Sequence, residues 1–327
     1  MKPWIEDIRR HVHEWSIRLE SRGLGWWPRY VYHYTDIHNA IGILTHGRIY
    51  SRAQAIAQQL MQTENASPAV IENTAPAHTR YARLYFRPRT PTQYCNEGIR
   101  PFHARWRPNN DPRPAHCPVP VFFCFDAIQV LGQDNTEFSD GNMGASRAIH
   151  AKTREFFQSI PFEYVYHQGA KGYNETVKFH RHAEVLVPDA LPLVPALRMI
   201  ACRSFAEMQM LLYLLPPDLR DEWRSKIRLG MEGLFERQWT YVETVTALGG
   251  KVTFKMNPNT RTEGPFNVRF EYRETETPEQ AVWTDQVQRL PRAFAFGLGD
   301  AKAGEVRLYL DECLAFADEV DFSEIPF

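Results

Sequence analysis

Several stretches of this chain place reactive side chains at spacings that chemistry uses. In Lys178 to Pro188, K-F-H-R-H-A-E-V-L-V-P, basic residues lead to a single carboxylate, Glu184. Val185-Leu186-Val187 follows, a β-prone run that Pro188 stops. The pattern predicts Glu184 at the start of a strand, with an irregular loop (His167 to Asn174) just upstream. A lone carboxylate on a strand edge among arginine and histidine suits general acid/base work. A salt-bridged Glu at a strand entry has the same signature and is the commoner arrangement. In Arg87-Pro88-Arg89-Thr90-Pro91, prolines on either side hold Arg89 on a rigid turn. A guanidinium held this way is pre-oriented for bidentate phosphate binding, and a solvated loop arginine is the plain alternative.

Two further stretches carry chemistry. Tyr32-His33-Tyr34-Thr35 reads as a strand end feeding a helix N-terminus, whose N–H groups suit an anion such as a diphosphate. His33 and Thr35 alternate with Tyr32 and Tyr34, so the two pairs face opposite sides. A simple β-turn-α with His33 at an edge fits equally. From Arg80 to Arg113 arginines and aromatics are dense, among them Arg83, Tyr85, Arg105, Trp106 and Arg107. Cations for phosphates mixed with rings for stacking suit single-stranded nucleic acid; a cationic loop for an acidic partner has the same composition.

The chain has 327 residues, 43% hydrophobic and 24% charged, which is a globular composition with room for two domains. The net charge of -1 gives no global field toward nucleic acid, so any basic surface is local. No apolar run is long enough to span a bilayer, and the N-terminus lacks a signal peptide's apolar core; the expectation is a cytoplasmic protein with no membrane partner. Five cysteines at scattered spacings fit a reducing compartment, and no CxxC occurs. His116-Cys117 with His103 and Cys124 fits no standard zinc spacing, so no metal is expected. Neither a GxGxxG nor a GxxxxGK[ST] is present.

The elements that must position these residues are legible in outline. Residues 3 to 22 have helical spacing, and Tyr30 to Tyr34 is extended. Thr35 or Asp36 caps a helix from Ile37 to His46 that Gly47 closes. Gln54 to Thr79 reads as a polar insertion or flap. Leu84 to Phe86 and Val119 to Phe125 are strands, Ser139 to Asn142 is a turn, Ser146 to Phe157 a short helix and Glu163 to Tyr166 extended. Ser204 caps a helix from Phe205 to Leu215, and Asp218 caps another from Leu219 to about Arg228. From Trp239 the alternation is β-like, with strands expected at Tyr241 to Val245, Val252 to Met256, Asn267 to Arg273, Val282 to Arg289, Arg292 to Phe296 and Glu305 to Phe316. This predicts a C-terminal antiparallel, sandwich-like domain of four to six strands.

Taken in order, these pieces resemble the DarT family, the DNA ADP-ribosyltransferase toxins of DarT–DarG toxin–antitoxin pairs. Residues 32–52, Y-H-Y-T-D-I-H-N-A-I-G-I-L-T-H-G-R-I-Y-S-R, are similar to the family's H-x-T…N-x-x-x-I-L-x-x-G-L…S-R segment. Y-F-R-P-R-T-P-T-Q-Y (85–94) is similar to F-x-P-R-[ST]-P-M, F-S-D-G-N (138–142) to T-D-G-N/H, and R-H-A-E-V-L-V (181–187) to R-x-A-E-F-L-V. The likeness covers about residues 28–205. Thr92 in place of Met, a long 54–79 insertion and the β-rich tail depart from the pattern.

The resemblance implies an α+β fold: an ADP-ribosyltransferase-like split mixed β-core with surrounding helices over residues 1–230, followed by a β-rich accessory domain over 231–327. It implies NAD as co-substrate and no metal. Glu184 would be the catalytic carboxylate, and Arg89 would hold the NAD phosphates or orient the attacking base. His33 and Thr35 would contact NAD, with Asn39 and Arg52 joining them. Arg83, Tyr94, Arg105, Trp106, His167, Tyr173 and Arg181 would meet the nucleic acid. DNA is the favoured substrate. RNA, a protein target and a non-catalytic binding module stay open, as do an antitoxin and a chaperone as protein partners.

Overall fold

Val121-Phe122-Phe123-Cys124-Phe125 has no polar position, so a strand built from it must be covered on both faces. The computed structural model describes all residues except 61–75, 106–114, 170–173, 259, 261–262, 276, 278–279 and 323–327. An eight-stranded sheet organises its first part. The strands are β1 (Tyr30–Asp36), β3 (Tyr81–Tyr85), β4 (Pro120–Asp126), β5 (Glu137–Ser139), β6 (His150–Ala151), β7 (Glu184–Pro188), β9 (Leu197–Cys202) and β10 (Ile227–Leu229). Their order is β10-β9-β4-β1-β3-β7-β5-β6, with β2 (Arg48–Tyr50) and β8 (Ala190–Pro192) paired separately. Among the described strands of this sheet, β9 and β10 pair in parallel and the other neighbours antiparallel. β4 is covered on one face by the main core, through Phe123 and Phe125. Phe122 and Cys124 on its other face pack with Tyr32, Leu234 and Phe235.

The sheet is split where chemistry was expected. β1 pairs with β4 along its whole length, from Tyr30↔Asp126 to Asp36↔Pro120. It meets β3 only at Tyr32↔Tyr85. β3 in turn pairs with β7 from Tyr81↔Pro188 to Tyr85↔Glu184. The local signals around this split hold. Asp36 caps helix Ile37–His46 through the amide of His38, and Gly47 closes it at φ 63°, a conformation that costs glycine nothing. Ser204 likewise caps helix Phe205–Leu214.

Other expectations give way. Glu163 to Tyr166 is not extended: Phe162–Val165 is a helical turn. Arg87 donates to the carbonyls of Val165 (2.9 Å) and His167 (2.7 Å), closing the end of that turn from far along the chain. The helix expected at Ser146 to Phe157 is the short strand β6 followed by helix Arg154–Ser159, which Thr153 caps. Asp218 is not a cap; it lies inside helix Pro217–Arg224, and β10 takes up the residues after it. The strand expected at Leu84 to Phe86 runs instead from Tyr81 to Tyr85. The irregular loop expected at His167 to Asn174 lies partly outside the described residues, and helix Glu175–His180, capped by Asn174, begins directly after it. Most of the 54–79 insertion lies outside the described residues.

Among the described residues the C-terminal part has seven strands, where four to six were expected. β11 (Val242–Leu248), β12 (Lys251–Met256) and β15 (Ala293–Gly297) form one antiparallel sheet. β13 (Phe266–Glu274), β14 (Gln280–Val287), β16 (Ala303–Leu310) and β17 (Cys313–Asp321) form the other. Phe254 of the first packs against Phe270 and Phe316 of the second at 5.9 and 5.7 Å. The extra strand comes from Glu305 to Phe316, which is a hairpin. Asp311 and Glu312 turn it with φ of 47° and 65°, a double left-handed turn made without glycine or asparagine. No helix among the described residues is long and apolar enough to cross a membrane.

His116 sits where the two parts meet, with Nε2 2.8 Å from the carbonyl of Gly98 and Nδ1 3.6 Å from Sγ of Cys313. Burial pushes its pKa down to about 3. Its lowered value means that below pH 6.5 the unfolded chain takes up a proton that the native state refuses, so stability falls with acid from about pH 6.5 toward 3. By pH 4.5 this one group accounts for a loss of ~2–3 kcal/mol. His116→Gln keeps a donor for Gly98 and does not titrate. It is expected to flatten the pH dependence of urea-unfolding stability between pH 6.5 and 4.5 by that amount; an unchanged slope would refute the assignment.

Candidate active site

Glu184 opens β7 with 2% of its surface exposed. The F-S-D-G-N turn builds its surroundings. Ser139 Oγ accepts the amide of Glu184 at 2.8 Å and donates to the carbonyl of Gly141 at 2.8 Å. The amide of Met143 donates to Oε1 at 3.4 Å. Arg83 Nε stands 3.5 Å from Oε2. Oε2 accepts no hydrogen bond among the described residues. Burial raises the carboxyl's pKa, while Arg83 and then the Met143 amide pull it down. Tyr85, opposite Glu184 in the β3–β7 register, has its hydroxyl pKa raised by burial and then by that carboxylate.

A cluster of arginines lies at the same end of the β3–β7 ladder. β3 leaves the sheet after Tyr85 and β7 enters at Glu184, so Arg87, Arg89 and Arg181 all flank that end. Arg87 is completely buried. Besides the Val165 and His167 carbonyls it donates to Pro88 O at 2.9 Å, and its guanidinium lies 4.6 Å from the Trp27 ring. Its Nη2, like Nε of the buried Arg181, has no hydrogen-bond partner among the described residues. Burial lowers the pKa of both guanidiniums, and Glu236 opposes that in each. Arg89 has φ 56°, a left-handed conformation that costs a non-glycine residue about 1–3 kcal/mol. Its carbonyl accepts from Arg181 Nη2 at 3.3 Å. Its Nε and Nη2 donate to Phe235 O at 3.2 and 2.9 Å.

The residues expected at the cofactor lie along the split. His33 Nδ1 is 3.0 Å from the carbonyl of Arg83, where the β1–β3 ladder has opened, and burial lowers its pKa. It is therefore joined to Glu184 through Arg83. Thr35 is buried farther along β1, Asn39 lies in the first turn of helix Ile37–His46, and Arg52 opens helix Arg52–Ala57. The Ser51 amide that precedes Arg52 donates to Asp189 O, beyond the far end of β7. The backbone of Asn39 and Arg52 thus lies toward the end of the sheet opposite the start of β7.

Of the residues expected to meet nucleic acid, those that are described make their contacts in several places. Arg83 and Arg181 belong to the Glu184 and Arg89 surroundings. The carbonyl of Tyr94 accepts from Trp239 Nε1 at 3.2 Å. Arg105 donates to Asp311 O at 2.7 Å and reaches Cys313, so it ties the first part of the chain to the β17 hairpin. His167 touches Arg87 through its carbonyl, and its buried Nδ1 has no partner among the described residues. Trp106 and Tyr173 lie outside the described residues. The pairing of Arg83 with Glu184, the burial of Arg87 and the seating of Ser139 were not foreseen. Ser139 was within reach, because it stands in a quoted motif. The Thr92 departure has a partner: its hydroxyl lies 3.1 Å from Nε2 of His182.

The chemistry this permits is specific. A buried carboxylate with an unfilled oxygen takes a hydroxyl or a proton. Buried guanidinium N–H groups without acceptors take an anion such as a diphosphate. Both fit NAD, which carries ribose hydroxyls beside its reactive carbon and a diphosphate. Among the described residues no group of three or more His, Cys, Asp or Glu side chains is placed to hold a metal.

Comparison with known proteins follows the same line. The family model for "ssDNA thymidine ADP-ribosyltransferase, DarT" matches residues 32–217. No curated protein matches the chain. Among solved structures, the DarT of Thermus sp. 2.9 in complex with ADP-ribosylated ssDNA aligns with 18% identity and a TM-score of 0.48, covering 64% of this chain and 97% of that one. The same organism's DarT in complex with NAD+ aligns with 20% identity and a TM-score of 0.44, covering 62% and 93%. Thermosipho africanus DarTG in complex with ADP-ribose aligns with 17% identity and a TM-score of 0.44, covering 62% and 50%. With the family match spanning more than half of its length, the chain belongs to the DarT family of single-stranded-DNA thymidine ADP-ribosyltransferases.

Proposed function

We propose that Glu184 is the catalytic carboxylate of this NAD-dependent transferase, and that the Arg89 end of the β3–β7 ladder receives the anionic or carbonyl groups of its substrates. The observation that carries the reading is the buried Oε2 of Glu184, which accepts no hydrogen bond among the described residues and faces the Arg83 guanidinium. In the reaction the bond from ribose C1′ to nicotinamide breaks, and its electron pair leaves with the neutralised pyridine. The new bond forms from C1′ to a base nitrogen. Thymine in a DNA strand carries one N–H, at N3, so that nitrogen attacks and its proton passes to Glu184. The same carboxylate faces the positive charge that grows at C1′. The family description supports single-stranded DNA over RNA as the substrate. In this proposal residues 1–230 are the transferase and 231–327 an accessory domain, the setting is the cytoplasm, and a protein antitoxin is the partner that holds the activity in check.

Incubating the full chain with labelled NAD and thymidine-containing single-stranded oligonucleotides is expected to move label into the DNA with release of nicotinamide. Glu184→Gln should lower the rate by about 10²–10⁴-fold. Label appearing in protein alone, or a Glu184→Gln enzyme of undiminished rate, would overturn the reading.

The pH profile gives an independent check. Glu184 acts ionised, and burial raises its pKa, so kcat/KM should rise with pH along a limb above the ordinary carboxylate value. Arg83 pulls that pKa down, so Arg83→Ala is expected to move the limb to higher pH. A limb that stays in place, or moves to lower pH, would separate Arg83 from the carboxylate's ionisation.

A further inference from the structure

The family match ends at residue 217, yet the chain returns to the arginine loop afterwards. Leu234 and Phe235 are buried on the site face of the sheet, with the Phe235 ring 5.2 Å from that of Phe122. Phe235 O is the acceptor of the Arg89 guanidinium. The next two amides fix that carbonyl: those of Glu236 and Arg237 donate to the two carboxylate oxygens of Glu97 at 3.0 and 2.9 Å. Glu97 is 1% exposed and faces Arg203 Nη1 at 3.5 Å. Gln93, also 1% exposed, joins both halves. Its Oε1 accepts the amide of Arg89 at 2.7 Å, and its Nε2 donates to Glu97 at 2.8 Å and to Leu234 O at 2.9 Å.

Arg89 is thus held twice, by its backbone through Gln93 and by its side chain through Phe235. The carbonyl takes Nε and Nη2, the side edge of the guanidinium. That leaves the end-on fork of Nη1 and Nη2, the edge that matches a phosphate or a pair of carbonyl groups. Trp239 and Thr240 extend the same seam, donating to Tyr94 O at 3.2 Å and accepting the Ile99 amide at 2.8 Å. Gly98 is pressed beneath it at φ 85°, where a Cβ would stand 2.9 Å from that of Trp239.

We infer that Leu234–Arg237, braced by Gln93 and Glu97, is the positioning element that aims Arg89, so that residues beyond the family's matched region complete the transferase site of this chain. The inference rests on the reading of Arg89 as a site residue. Gln93 and Glu97 are positioning residues here, since they reach the substrates only through Arg89.

The test is a double-mutant cycle on the full chain, reading kcat/KM for transfer to single-stranded DNA. Gln93→Met and Glu97→Gln are each measured alone and combined with Arg89→Lys. Each alone is expected to lose about tenfold, and in the Arg89→Lys background less than about twofold, because the group being aimed is gone. Equal losses in both backgrounds, with Arg89→Lys itself impaired, overturn the brace and leave the site reading standing. An Arg89→Lys enzyme of unchanged kcat/KM removes Arg89 from the site, and the brace falls with it. Glu97 also meets Arg203, so Glu97→Gln is the variant at risk of misfolding; Gln93→Met leaves that ion pair intact and carries the test by itself.

Discussion

A carboxylate buried to 2% exposure at the head of β7 is the constraint the rest of the structure serves. Left without a counter-ion in such a place, an ionised Glu costs several kcal/mol and protonates instead. Arg83 is the remedy, and strand register supplies it. Tyr85 pairs with Glu184, and Arg83 stands two residues along β3 on the same face. A slip of one residue would turn Arg83 into the core and leave Glu184 unpaired. His33 joins β1 to the same point through the carbonyl of Arg83. The register of β3 on β7 is therefore a chemical requirement as much as a packing one.

The C-terminal part bears on the same constraint from the other side of the site. Its sandwich core of Phe254, Phe270 and Phe316 is continuous with the core of the first part, through helix Phe205–Leu214 packed on β11 and β17. Its lead-in is tied down as well: Arg237 Nη2 donates to Arg203 O at 2.6 Å, Ser204 Oγ to Val242 O at 2.6 Å, and Arg203 is closed between Glu97 and Glu207 in a buried ion cluster. Breaking such a cluster strands a buried charge. The seam is thus costly to open, which suits a device that must hold one guanidinium still.

What could be read from the residues was what local physics decides. Asp36 and Gly47 bracket their helix with a cap and a left-handed glycine. Val185-Leu186-Val187 is a strand because it is β-prone and ends at Pro188. What could not be read depends on distant partners. Phe162–Val165 is a single helical turn whose end is closed by Arg87, 78 residues away. The β16–β17 turn uses Asp311 and Glu312 where sequence reasoning looks for Asn-Gly. Arg83 looked like one cation in a basic stretch, and only the register makes it the counter-ion of Glu184. Gln93 meets Leu234 across 141 positions, and no spacing rule links them.

The order of the motifs gains a physical meaning from the sheet. The pieces at 32–35, 85–91, 138–142 and 181–187 follow one another along the chain, but their strands stand as β1-β3-β7-β5. The last piece enters between the second and the third. Glu184 is thereby flanked by β3, which brings Arg83 and carries on to Arg89, and by β5, which brings Ser139 and the turn to Met143. Each motif is weak alone because each supplies one wall. A central strand entering last has a carboxylate whose surroundings form only when all the other pieces are in place. The site is a property of the assembled sheet, and it explains why four unremarkable stretches in that order mean more together than any one of them does.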